Sequence, residues 1–182
     1  MRFFIAGLPR SRSAWFANYM SYGDTACLHD QFRHTGLNAG DLSRAIELTG
    51  ATNVGHADSC NFLVAEELME LYPDSRWLVV RRDPAEAFKS LRVYAPEVRP
   101  SFILSMSVAM NDFIRRWEPM VVDFHNLTPA VIERAAKHLV PSWECPAWRT
   151  EMLCNMQVQL EPNFMKHEIE KAKGALWVSG LL

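Results

Sequence analysis

The chain has 182 residues, 49% of them apolar, and a formal net charge of −2. That length suits one domain with a full-sized core, and that apolar fraction excludes a disordered chain. The near-zero charge excludes a whole-molecule field drawing the protein to nucleic acid or anionic lipid, so any anion site has to be local.

Cys27, Cys60, Cys145 and Cys154 are widely spaced, with no Cys-x-x-Cys. They read as thiols in a reducing compartment rather than a disulfide frame or a zinc site. The first apolar run is too short for the core of a signal peptide, and nothing approaches the ~20 apolar residues of a membrane span. The expectation is a soluble cytoplasmic protein forming one unit over 1–182, with its core in 1–140 and a helical part over 141–182.

In chain order, residues 2–6 read as a first strand. Gly7-Leu8-Pro9 turns, Arg10-Ser11-Arg12-Ser13 follows, and an amphipathic helix covers 12–21. A helix start carries unpaired N–H groups and partial positive charge. Two arginines and two hydroxyls there favour a phosphate or sulfate. Residues 25–29 form a second strand ending at His29-Asp30, and 31–40 read as a loop. Asp41 caps a helix to Leu48, with Gly50 as its stop. Residues 52–56 give a third strand, and Asp58 or Ser59 caps a helix through Leu71. Trp77-Leu-Val-Val80 is a strand apolar on both faces. Asp83 then reads as an N-cap and Pro84 as the first helical residue, for a helix reaching Leu91. A helix over 101–117, a strand over 120–124 and a helix from Thr128-Pro129 to Leu139 follow. Two last helices fall near 147–157 and 163–173.

Five strands alternating with helices predict an α/β fold, a parallel sheet covered on both sides by helices. Ligands of such sheets bind at the carboxyl ends of the strands. The first loop, His29-Asp30, His56-Ala57-Asp58 and Arg82 all follow strand ends. Arg82 should enter the crevice and Arg81 should point away from it. A guanidinium at Arg82 and a hydroxyl at Ser90, two turns into the next helix, suit a phosphate.

Together the two stretches resemble the paired signatures of sulfotransferases that use 3′-phosphoadenosine 5′-phosphosulfate (PAPS). The family's first loop, Pro-(Lys/Arg)-Ser-Gly-Thr-Thr-Trp, is matched by Pro9-Arg10-Ser11-Arg12-Ser13-Ala14-Trp15. Its second signature, Arg-(Asn/Asp)-Pro with a serine eight residues after the arginine, is matched by Arg82-Asp83-Pro84 and Ser90. Met120 to Pro129 and Ala135 to Leu139 resemble the fifth strand and the helix after it. Arg12 stands where the family has glycine, Ala14 lacks a hydroxyl, and no C-terminal basic, glycine-containing motif is evident; Lys171, Lys173 and Gly174 are a poor substitute.

The resemblance implies a three-layer α/β/α, P-loop-type fold with the strand order 2-3-1-4-5, that residues 9–15 hold the 5′-phosphosulfate and that Arg82 and Ser90 hold the 3′-phosphate. Arg10 would neutralise charge as the sulfuryl group leaves. His56, Asp30 or His29 would act as base toward a hydroxyl or amine acceptor, small-molecule, glycan or peptide. No metal is required. Trp15, Phe88 and Leu91 read first as core, while Phe32 and Tyr94 lie in loops that could line an acceptor pocket. Two alternatives stay open. One is an anion- or nucleotide-binding protein of this fold without catalysis. The other is a P-loop kinase, although Gly-x-x-x-x-Gly-Lys-(Ser/Thr) fails at Arg12-Ser13-Ala14.

Overall fold

A computed structural model describes residues 1–155. The elements in order are β1 (Arg2–Gly7), α1 (Ser13–Met20), β2 (Thr25–His29), α2 (Phe32–Thr35), α3 (Ala39–Leu48), β3 (Asn53–Ala57), α4 (Ala65–Leu71), β4 (Arg76–Arg81), α5 (Pro84–Arg92), α6 (Pro100–Trp117), β5 (Met120–Asp123), α7 (Pro129–Leu139) and α8 (Ala147–Asn155). Short 3₁₀ turns cover Asn61–Val64 and Phe124–Asn126. Among the described residues the strands form one parallel sheet in the order β2-β3-β1-β4-β5, as the sequence predicts.

Period-two alternation splits the core into two layers. Phe3, Ile5, Leu78 and Val80 face a cluster with Trp15, Phe16, Tyr19, Ile132 and Leu139. Phe4, Ala6, Trp77 and Val79 face the other, with Leu42, Ile46, Leu68, Ile103 and Phe113. Helices α1, α7 and α8 therefore cover one side, and α3, α4 and α6 the other. No helix among the described residues is long and apolar enough to cross a membrane.

Local signals set several boundaries. Asp83 accepts from the Glu86 N–H at 3.0 Å with Pro84 in the first turn of α5, and Thr128 caps α7 in the same way. Three expectations change. The stretch 31–40 contains the short helix α2. Asn38, not Asp41, caps α3; its Oδ1 accepts from the Asp41 N–H at 3.0 Å. Asp58 bonds the Cys60 N–H at 2.8 Å, so the chain makes a 3₁₀ turn before α4 instead of entering the helix directly. The expected helix at 163–173 and Lys171, Lys173 and Gly174 lie outside the described residues.

Candidate active site

The carboxyl ends of β1, β2, β3 and β4 converge, and the loop over residues 8–12 runs between them. Gly7 ends β1 against β4: a Cβ there would lie 2.7 Å from the Val80 carbonyl oxygen. The loop is held by the Ser11 N–H bond to the Leu8 carbonyl (3.1 Å). Arg10 (φ 69°) and Arg12 (φ 66°) both adopt the left-handed conformation. Such backbone costs about 1–3 kcal/mol per residue outside glycine and persists only where its surroundings enforce it. Arg12 is the N-cap residue of α1 and has no side-chain cap bond. It takes the backbone conformation that a glycine would take at that position. Its guanidinium lies 5.3 Å from the Phe124 ring centroid.

The second stretch meets this loop directly. Arg82, just past β4, donates from Nη1 to the backbone carbonyl of Arg10. Its guanidinium stacks 4.1 Å over the Phe124 ring, and Nε lies 3.8 Å from Glu86 Oε2. Arg10 donates from Nε to Ser90 Oγ (3.4 Å) and packs 4.4 Å over the Tyr94 ring. Arg81 points away, paired with Asp123 at 2.9 Å, as strand alternation requires. Burial lowers the Arg82 pKa; Glu86 opposes this, and the charges of Arg10 and Arg12 add to it. Ser11 Oγ and Arg82 Nε are buried without a hydrogen-bond partner. Buried donors are nearly always satisfied, so each of these two atoms is free to take a further hydrogen bond.

Trp15 is buried at 8% exposure, stacked on Tyr19, and its Nε1 donates to the Leu153 carbonyl at 2.8 Å. Its side chain serves the core rather than the loop, and the Ala14 methyl is exposed.

A second cluster lies at the ends of β2 and β3. Ser13 Oγ is 3.2 Å from His29 Nε2, which is 3.1 Å from Asp30 Oδ1. Asp30, at φ 52°, also pairs with Arg33. Burial lowers the His29 pKa, with Asp30 opposing and Arg33 adding to the effect. Ser13 therefore joins the first loop to the His29–Asp30–Arg33 cluster.

His56 requires a correction. It lies within β3, fully buried, and not beyond the strand end. The Gln31 N–H donates to its Nε2 (3.1 Å), so Nδ1 carries the proton toward Asn61 Oδ1 (2.7 Å). Asn61 Nδ2 in turn donates to the carbonyls of Ile5 and His56, and Phe32 packs edge-on against the ring. Burial lowers the His56 pKa to about 3. With both nitrogens engaged and no exposure, His56 is a neutral cross-brace between strand ends, and the expected role as base does not fit this geometry. Phe32 closes the core beside it instead of lining a pocket.

Asp58, expected at a strand end and as a helix cap but not as a base, takes a central position. Its N–H donates to the Ile5 carbonyl at 3.0 Å, which places it beside the end of the central strand. Burial, with Asp30 adding to it, raises its pKa to about 7. Position after a strand end was the one sequence signal available for it. Among the described residues no group of three or more His, Cys, Asp or Glu side chains is placed to hold a metal ion.

Nothing among curated proteins matches the chain. The sulfotransferase domain family matches residues 16–152, a stretch that begins immediately after Trp15 and includes β2 to β5, Asp30, Asp58, Arg82 and Ser90. A five-stranded parallel sheet, an arginine-rich first loop and a match over most of the length agree: the chain belongs to the sulfotransferase domain family.

Proposed function

We propose that the protein transfers a sulfuryl group from PAPS to a hydroxyl or amine acceptor. The observation that carries this reading is the junction of the two phosphate-type stretches. Arg82 holds the Arg10 carbonyl and Arg10 holds Ser90, while Ser11 Oγ and Arg82 Nε (the latter 3.8 Å from Glu86 Oε2) make no hydrogen bond. One site then offers hydroxyl and guanidinium donors to both ends of a doubly phosphorylated nucleotide.

In this mechanism the acceptor oxygen attacks sulfur. The bond from sulfur to the bridging oxygen breaks, and its electron pair stays on the 5′-phosphate. Arg10 and the first N–H groups of α1 offset that developing charge, and Ser11 and Ser13 orient the phosphate. Arg82 and Ser90 hold the 3′-phosphate at the other end. Positioning and charge stabilisation carry most of the rate, as in phosphoryl transfer. The acceptor's proton goes to a base at the ends of β2 and β3.

The test is transfer of radiolabelled sulfuryl from PAPS to a panel of phenols, alcohols and amines, read together with release of 3′,5′-ADP. Labelled product without added metal is the expected result. Tight nucleotide binding with no product from any acceptor, and no PAPS consumed, would place the protein among binders that lack catalysis.

A further inference from the structure

The cluster at the ends of β2 and β3 contains two carboxylates with different surroundings. Asp30, with 26% side-chain exposure, is occupied by His29 and Arg33. Asp58, with 6%, has neither partner. Its Oδ1 takes the Cys60 N–H at 2.8 Å. Its Oδ2 lies 3.7 Å from His56 Nε2, which already accepts from Gln31. At that distance from a neutral ring the contact is not an ion pair. The backbone of Asp58 is bonded to Ile5, three residues before the phosphate-type loop begins.

We propose that Asp58 is the proton acceptor of the transfer step, with Asp30 tuning it and His56 fixing the strand ends around it. This assignment rests on the sulfotransferase reading above. As the acceptor oxygen bonds to sulfur, its proton passes to Asp58 Oδ2, and the electron pair of the broken bond leaves on the 5′-phosphate of 3′,5′-ADP. The charge and atom balance closes without a metal or a redox partner. Burial and the charge of Asp30 raise the proton affinity of Asp58 to about 7. A general base works best with a pKa near the operating pH. The ionisable groups facing Asp58 are Asp30, Arg33, His56 and Cys60. Of these Arg33 alone lowers its proton affinity by charge, while the N–H and side chain of Cys60 lower it by hydrogen bonding. The sequence alone could not rank Asp58 above His56, because both follow the same strand.

The experiment uses the full chain, wild type and Asp58→Asn, Asp30→Asn and His56→Gln variants. Calorimetry reads 3′,5′-ADP binding. PAPS turnover is read with 4-nitrophenol and with water as acceptors, across pH. Asn keeps the shape of Asp58 and its bond to Cys60, so folding should survive. Asp58→Asn is expected to bind 3′,5′-ADP within about threefold of wild type and to lose on the order of 10²–10⁴ in turnover. Asp30→Asn should move the acid limb of the profile to lower pH, and His56→Gln should leave that limb in place. A carboxyl carbon-13 titration of Asp58 provides a readout independent of any acceptor, with a midpoint near neutrality that falls in Asp30→Asn. Wild-type turnover in Asp58→Asn, or an Asp58 titrating in the ordinary carboxylate range, overturns the proposal while leaving the sulfotransferase reading intact. A wild-type protein that binds no 3′,5′-ADP and consumes no PAPS overturns both.

Discussion

Arg82 Nη1 donates to the backbone carbonyl of Arg10, joining residues 72 positions apart. One guanidinium thus braces the loop after β1, while its Nε, 3.8 Å from Glu86 Oε2, makes no hydrogen bond. The brace helps explain how a non-glycine loop keeps two left-handed residues: the carbonyl of Arg10 is held from outside the loop.

On the proposed reading, Arg82→Ala should weaken 3′,5′-ADP about ten- to a hundredfold, the scale of a hydrogen bond to a charged group. 5′-AMP, lacking the 3′-phosphate, should lose less. Calorimetric titration of both nucleotides distinguishes the roles. Equal losses would mean that Arg82 serves only as the brace on Arg10.

Arg12 gives a test of backbone rather than charge. At φ 66° a glycine fits without strain, and a β-branched residue fits badly. Arg12→Gly should stay within about 1 kcal/mol of wild type in urea unfolding, with relief of strain offsetting the lost contact to Phe124. Arg12→Val should fall below Arg12→Gly by about 1–2 kcal/mol. If valine is tolerated as well as glycine, the left-handed assignment at this position is wrong.

Much of this architecture could be read from local signals. Asp83-Pro84 and Thr128-Pro129 announce helix starts within a few residues, and the apolar run at Trp77 announces a buried strand. The order 2-3-1-4-5 follows the resemblance carried by the two phosphate-type stretches. The setting of His56 is not legible locally because it is assembled from distant parts of the chain: Gln31 from the end of β2, Asn61 from a 3₁₀ turn, Phe32 from α2. No local pattern reports that both ring nitrogens are engaged. The proton affinity of Asp58 likewise depends on burial and on Asp30, which is far away in sequence. The conformation of Arg12 was hidden for the same reason: arginine rarely chooses positive φ by itself.

His56 and Asp58 should leave opposite marks on stability. Folding lowers the His56 pKa from 6.5 to about 3, so its contribution is whole above 6.5 and declines as pH falls from there toward 3. Folding raises the Asp58 pKa from 3.8 to about 7, so its contribution is whole below 3.8 and is lost as pH rises through 7. Asp58→Asn removes the second loss alone. Its Tm, relative to wild type, should therefore rise between about pH 4 and about pH 8. A difference that stays flat or shrinks across that range would show that Asp58 is not protonated in the folded protein near neutrality.

On the proposed reading, the two stretches joined through Arg82 and Arg10 form one site for a nucleotide phosphorylated at both ends. Calorimetric titration of the metal-free wild-type protein with 3′,5′-ADP, 5′-AMP and, separately, ATP–Mg²⁺ tests it most directly. 3′,5′-ADP should bind at least about tenfold tighter than 5′-AMP, because its second phosphate reaches charged donors worth more than about 1.4 kcal/mol, and ATP–Mg²⁺ should bind more weakly than 3′,5′-ADP. Equal affinity for the mono- and bisphosphate, or a preference for ATP–Mg²⁺, would contradict it.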